Sequence, residues 1–148
     1  HKEDLYQQIY RPHLELLPGL DLFLSQAHAA GIKIAIGSAA IPYNINFVLD
    51  NLNIRHYFQA IVSAHDVLMS KPHPEVFLKA AEQLGVDAAH CIVFEDAPKG
   101  VEAAHRAGMK SIVITSMHHQ NEFMEYDNIL QFVPNYLMLS PAELFGKI

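Results

Sequence analysis

A chain of 148 residues, 51% of them apolar and with a mean hydropathy of +0.10, is the size of one domain with its own core. It holds no apolar run near the ~20 residues needed to span a bilayer, and no leader with a basic start and apolar middle, so it is expected to be soluble and cytoplasmic. The formal net charge of −6, with lysines and arginines scattered, argues against nucleic acid and membrane as partners, and a lone cysteine, Cys91, excludes an internal disulfide.

From Glu3 to His13, Leu5, Tyr6, Ile9 and Tyr10 recur at helical spacing, with Pro12 ending the helix. Pro18 and Gly19 then signal a turn. A second helix is expected from Leu20 to Ala30, its inner face formed by Leu20, Phe23, Leu24 and Ala27 and its stop by Gly31. Ile32 to Ile36 reads as a strand, and the small residues Gly37, Ser38 and Ala39 after it allow close approach of a ligand to backbone. Ile45, Val48, Leu49 and Leu52 mark another helix, and Ala60 to Val62 another strand. Two prolines hold Lys71 to His73 extended, and Pro74 opens a helix from Glu75 to Leu84 that Gly85 stops.

Cys91 to Phe94 is an apolar run of the length of a strand buried on both faces, which makes Cys91 an inert core thiol. Glu95 and Asp96 follow it, and Pro98 opens a helix that runs to Gly108. Ser111 to Thr115 makes a further strand. In the tail, Glu122 to Tyr126 reads as helical, Tyr136 to Leu139 as an edge strand and Pro141 to Phe145 as a closing helical turn. Short strands alternating with helices of about ten to fourteen residues give an α/β fold with a parallel sheet covered by helices on both faces.

Ligands bind outside the carboxyl ends of strands in such sheets. Ser38 follows one strand, Glu95 and Asp96 follow another, and Lys71 stands in a loop ahead of a helix. Adjacent carboxylates repel unless a divalent cation lies between them. Each residue also has a plain reading: Ser38 forms a turn, Lys71 is an idle surface lysine, and Asp96 caps the helix with Glu95 solvated beside it. Their shared position at element ends favours a phosphate site with a magnesium ion. The ten histidines are dispersed, and His118 and His119 fall in an expected loop without metal-ligand spacing.

GSAA around Ser38, KPHPEVF from Lys71 and FEDAPKGVEAAHRAGM from Phe94 together resemble the haloacid dehalogenase superfamily, most closely its β-phosphoglucomutase-like phosphatases and mutases. The resemblance implies a Rossmann-like three-layer αβα sandwich. It implies that Ser38 and the Ala39 N–H bind phosphoryl oxygens, that Lys71 neutralises charge shared by phosphoryl group and nucleophile, and that Glu95 and Asp96 hold Mg2+. Residues 1–13 resemble the last helix of a helical cap, and residues 14–148 an incomplete enzyme core.

Family members attack phosphorus with the first aspartate of a DxDxT-type motif near the N-terminus, and the second works as acid and base. No Asp-x-Asp occurs among Asp4, Asp21, Asp50, Asp66, Asp87, Asp96 and Asp127. The expectation is therefore the C-terminal portion of a magnesium-dependent phosphatase for a small phosphorylated metabolite, inactive alone. A phosphomutase is the alternative within the family, and a non-catalytic phosphate- or partner-binding fragment the alternative outside it. The nucleophile strand of the family lies between the strands that end at Ser38 and Glu95. The gap is expected to be filled by an N-terminal segment, by a second copy, or by collapse of the two strands onto each other.

Overall fold

The computed structural model describes residues 17–145, so the helix expected between Glu3 and His13, and with it the cap assignment of residues 1–13, lies outside the described residues. The first element, α1 (Leu20–Ala29), buries Phe23, Leu24 and Ala27. It starts at Gly19, whose φ of 84° and tight approach to the backbone of Leu137, 2.7 Å from a Cβ placed there, require glycine. The strand expected from Ile32 is shorter, β1 (Ala35–Gly37). The backbone before it is satisfied elsewhere: Ile32 N–H donates to Ala27 O, and Ile34 N–H to Gln59 Oε1 at 2.7 Å.

Next come α2 (Pro42–Leu52) and β2 (Ala60–Val62). The segment from Lys71 to His73 is not extended, as its prolines suggested, but turns: His73 N–H donates to Ser70 O at 3.0 Å, and the Lys71–Pro72 bond is cis. The sequence boundaries of α3 (Glu75–Leu84) are met at both ends, with Gly85 at φ 70° as its stop. After β3 (Ile92–Glu95), α4 (Pro98–Arg106) begins from Ala97, so Asp96 is not the helix cap. Cys91 precedes β3 and is half-buried. Its thiol donates to Asp87 O at 3.4 Å, and burial raises its pKa.

The chain closes with β4 (Lys110–Ile114), β5 (Ile129–Val133) and α5 (Pro141–Phe145). The helical turn expected at Glu122 is a 3-10 turn over Gln120–Phe123. The last strand is thus Ile129–Val133, and Tyr136 to Leu139 is a turn. Pro134 lacks a donor, Asn135 Oδ1 accepts the Leu137 N–H at 2.9 Å, and Tyr136 N–H is drawn to Pro18 O instead of to a strand.

All pairings are parallel, in two sheets, β1-β2 and β3-β4-β5. Helices cover both faces. On one, α1 places Phe23 against Ile112 and Ile114 and Leu24 against Ile45 and Leu49. On the other, α3 and α4 join Val62 of β2 to Val93 of β3 through Val76, Phe77, Ala103 and Ala104. Val62 and Val101 have no exposed surface, and each such side chain contributes about 1.5–3 kcal/mol. The two sheets are therefore tied across the space between β1 and β3 by helices. The facing edges of β1 and β3 do not pair, so those strands have not collapsed together, and every residue of β1 is only half-buried.

Candidate active site

Of the five expected site residues, Ser38 and Ala39 follow the end of β1, Glu95 is the last residue of β3 with Asp96 next to it, and Lys71 lies in the loop between β2 and α3. Ser38 leaves β1 with its N–H on Val62 O at 2.9 Å, and its Oγ accepts the Ala40 N–H at 3.0 Å. Beside it Ala39 is exposed. Ser38, Ala39 and Lys71 line one pocket of about 150 Å³ with Ala64, Val67, Leu68, Ser70 and Val76.

Lys71 joins this pocket to the acids. Its Nζ donates to Gly37 O at 3.2 Å and to Glu95 Oε2 at 3.0 Å, and lies 4.8 Å from the centre of the Phe77 ring. Gly37 allows that ring to approach, since a Cβ on it would meet Phe77 Cδ1 at 3.0 Å. With side chains 15% and 12% exposed, Lys71 and Glu95 form a mostly buried pair, and breaking it by removing one partner strands a charge. Burial pushes the Glu95 carboxyl above its ordinary range, Lys71 pulls it down, and the neighbouring Asp96 adds to the rise. Glu95 Oε1 also accepts the Asp96 N–H at 3.1 Å, while the Asp96 side chain faces solvent.

Other residues shape the site without having been singled out from the sequence. Tyr136 stacks on Phe94, ring centres 5.8 Å apart, and packs on Phe23 at 5.4 Å. Burial raises its hydroxyl to about 12, and the charges of Asp96 and Glu95 add to that. Glu75 Oε1 accepts the N–H groups of Leu68 and Met69, each at 2.9 Å, in the loop that carries the pocket wall. An acid in the first turn behind Pro74 was visible in the sequence, but its reach back to that loop was not. Gly100, inside α4, leaves the room that the Glu95 carboxylate fills.

A metal needs more than these two acids. Among the described residues no group of three or more His, Cys, Asp or Glu side chains converges on one point, and one oxygen of Glu95 is already paired with Lys71. Chemically, the site offers a hydroxyl, a fixed cation and adjacent carboxylates at the carboxyl ends of β1 and β3, with Lys71 bonded to both ends. Among the described histidines, His73 Nδ1 accepts the Glu75 N–H at 3.2 Å in the loop before α3, and His118 pairs with Glu122 at 3.2 Å.

Residues 2–114 match the sequence profile of haloacid dehalogenase-like hydrolases. An uncharacterised protein of Haemophilus influenzae is 43% identical over 108 residues, 73% of this chain and 53% of that protein. Hexitol phosphatase B of Escherichia coli is 36% identical over 107 residues, 72% of this chain and 48% of that enzyme. A β-phosphoglucomutase from Clostridium difficile superposes with a TM-score of 0.73 at 30% identity, covering 88% of this chain and 56% of that structure. The chain thus spans about half the length of the curated relatives it matches. It belongs to the haloacid dehalogenase-like hydrolase family.

Proposed function

We propose that this chain supplies the phosphate- and magnesium-binding part of a phosphatase for a small phosphorylated metabolite such as a sugar phosphate. The observation that carries the reading is the position of Lys71 Nζ, held between Gly37 O at the end of β1 and Glu95 Oε2 at the end of β3, beside the pocket that Ser38 and Ala39 line. In this reading the Ser38 hydroxyl and the Ala39 N–H receive phosphoryl oxygens, and Lys71 balances their charge. Glu95 and Asp96 are the acids for Mg2+, which would supply charge neutralisation at the phosphoryl group. They make only part of its oxygen shell, and the rest is left to water and to other oxygens, since no third His, Cys, Asp or Glu joins them among the described residues. The names of relatives such as hexitol phosphatase B support a sugar or sugar-alcohol phosphate as substrate.

The similarity to a β-phosphoglucomutase favours one second reading, a phosphomutase, which would use the same residues and pass the phosphoryl group to a sugar hydroxyl instead of water. In either case the attacking carboxylate is not supplied by this sequence, which has no Asp-x-Asp. The test is to read the coding frame upstream of His1 and assay the protein it encodes on hexitol and sugar phosphates, with Mg2+ and with a chelator. An upstream strand followed by Asp-x-Asp-x-Thr and magnesium-dependent phosphate release, lost in Lys71→Met, is expected. No such segment, or release that ignores Lys71, overturns the reading.

A further inference from the structure

The loop from Ser63 to Lys71, between β2 and α3, builds most of the pocket wall through Ala64, Val67, Leu68, Ser70 and Lys71. Little apolar packing holds its tip. Val67 packs against the core, but Leu68 is 95% exposed and Met69 54%. The tip is tied down by polar groups instead. Glu75 Oε1 receives both the Leu68 and Met69 N–H groups at 2.9 Å, and Glu75 Oε2 lies 3.4 Å from Lys79 Nζ one turn along α3. Lys79 Nζ in turn donates to Asp66 O, and Asp66 Oδ2 accepts the Ser63 N–H at 2.8 Å and the Ser63 hydroxyl at 2.9 Å. One polar chain therefore runs from the buried start of the loop to the helix that follows it.

Two N–H groups converging on one carboxylate oxygen are charge-assisted bonds, about twice as strong as neutral ones. An acid that merely favoured the positive end of α3 would do so without reaching back over six or seven residues.

We propose that Glu75 is a positioning residue for the phosphate site: its carboxylate clamps the Leu68–Met69 tip and so sets the place of Ser70 and Lys71 in the pocket. The proposal rests on the phosphate-site reading above. Glu75 touches no substrate and acts only through the loop.

The test uses the 148-residue chain, isotopically labelled, with inorganic phosphate as the probe. In Glu75→Gln, amide hydrogen exchange at Leu68 and Met69 is expected to quicken by about tenfold or more, and phosphate affinity to fall about three- to tenfold. In Lys71→Met phosphate affinity falls too, and adding Glu75→Gln to it costs clearly less than in the wild type, because the lysine that the clamp places is gone. Glu75→Asp keeps the charge in the first turn of α3 but draws the oxygens back by one carbon. It should lower the urea midpoint less than Glu75→Gln does and still show the faster exchange, and it serves if Glu75→Gln does not fold. Unchanged exchange at Leu68 and Met69 overturns the proposal, as does an equal loss of affinity from Glu75→Gln with and without Lys71. If the wild-type chain binds phosphate and the Glu75 variants bind it equally well, this proposal alone fails. If the wild-type chain binds none, the phosphate-site reading fails and takes the proposal with it.

Discussion

The Glu95 carboxylate fills the space that a side chain on Gly100 would need: a Cβ there would lie 2.0 Å from Glu95 Cδ and 2.1 Å from Oε2. Glu95 ends β3, and Gly100 is the third residue of α4, where the exposed N–H groups of a helix start favour negative charge. The contact explains why a glycine stands in the first turn of α4, although glycine is a poorer helix former than alanine. Seated there, Glu95 points its Oε2 at Lys71.

Gly100→Ala should therefore destabilise the chain although alanine is the better helix former. Gly100 is buried, so the added methyl has to displace Glu95 from Lys71 or shift α4, at a cost of about 1–3 kcal/mol. Urea unfolding of the wild type and the variant measures this. A variant as stable as the wild type, with Lys71 still paired, would show that the methyl is accommodated and that glycine is not required there.

Asp66 and Glu75 give the loop a pH dependence with a definite sign. Hydrogen bonds from Ser63 hold Asp66 below its ordinary 3.8, and those from Met69 and Leu68 hold Glu75 below its ordinary 4.5. Because both folded-state values are depressed, their contribution to stability is present above the ordinary values and is lost as pH falls through the lowered ones. The gap in urea midpoint between wild type and the Asp66→Asn, Glu75→Gln double variant should be constant from about pH 7 to about 5 and close below about pH 4. A gap that persists unchanged at about pH 2.5 would mean that packing, not ionisation, separates the two proteins.

Chain order and element type were open to reading wherever punctuation and periodicity agreed. Pro74 and Gly85 bracket Glu75–Leu84, and Ala60–Val62 is a short apolar run that forms β2. Tyr136 to Leu139 reads as a strand because it is as apolar as Ile129 to Val133. Tertiary partners decide between them: Asn128 sits under β4 with its amide on Met109 O at 3.1 Å, Ser111 N–H is on Asn128 O, and these start β5 at Ile129. Ser38, Lys71, Glu95 and Asp96 stand out in the sequence because their chemistry is written in their own residue types, and the roles given to them remain the proposal made above. Glu75 and Gly100 could not, since what matters in each is a contact with a residue several positions away that only the folded backbone brings near.

Magnesium binding by the isolated chain should be weak. Magnesium keeps its waters unless several oxygens in octahedral arrangement replace them, and only Asp96 and a Glu95 shared with Lys71 stand ready among the described residues. Isothermal calorimetry is expected to give no saturable heat at submillimolar Mg2+. Tight binding at one site per chain would mean that the two acids suffice, and the partial-shell account would have to be dropped.

The open edges of β1 and β3 lead to the last prediction. Among the described residues each strand is paired on one side only, yet both lie between layers of helices, and β1 is half-buried along its whole length. Unpaired backbone groups in such a place cost free energy, and an open parallel edge is a template for another strand. Lys71 and Glu95 bridge the carboxyl ends of the two strands through side chains, which leaves the peptide groups of the facing edges unmatched by each other. A segment that lay between them would pair with both and would place its own carboxyl-end residues beside Lys71, Ser38 and Asp96. The purified 148-residue chain is therefore expected to release no measurable phosphate from a sugar phosphate, and to gain both activity and a higher urea midpoint when mixed with a separately made segment of an apolar strand ending in Asp-x-Asp-x-Thr. Hydrogen exchange at Ala35, Ile36, Val93 and Phe94 should slow on mixing. Hydrolysis at an ordinary enzymatic rate by the chain alone, free of any other polypeptide, would overturn both the open-edge argument and the assignment of the attacking carboxylate to a segment outside this sequence.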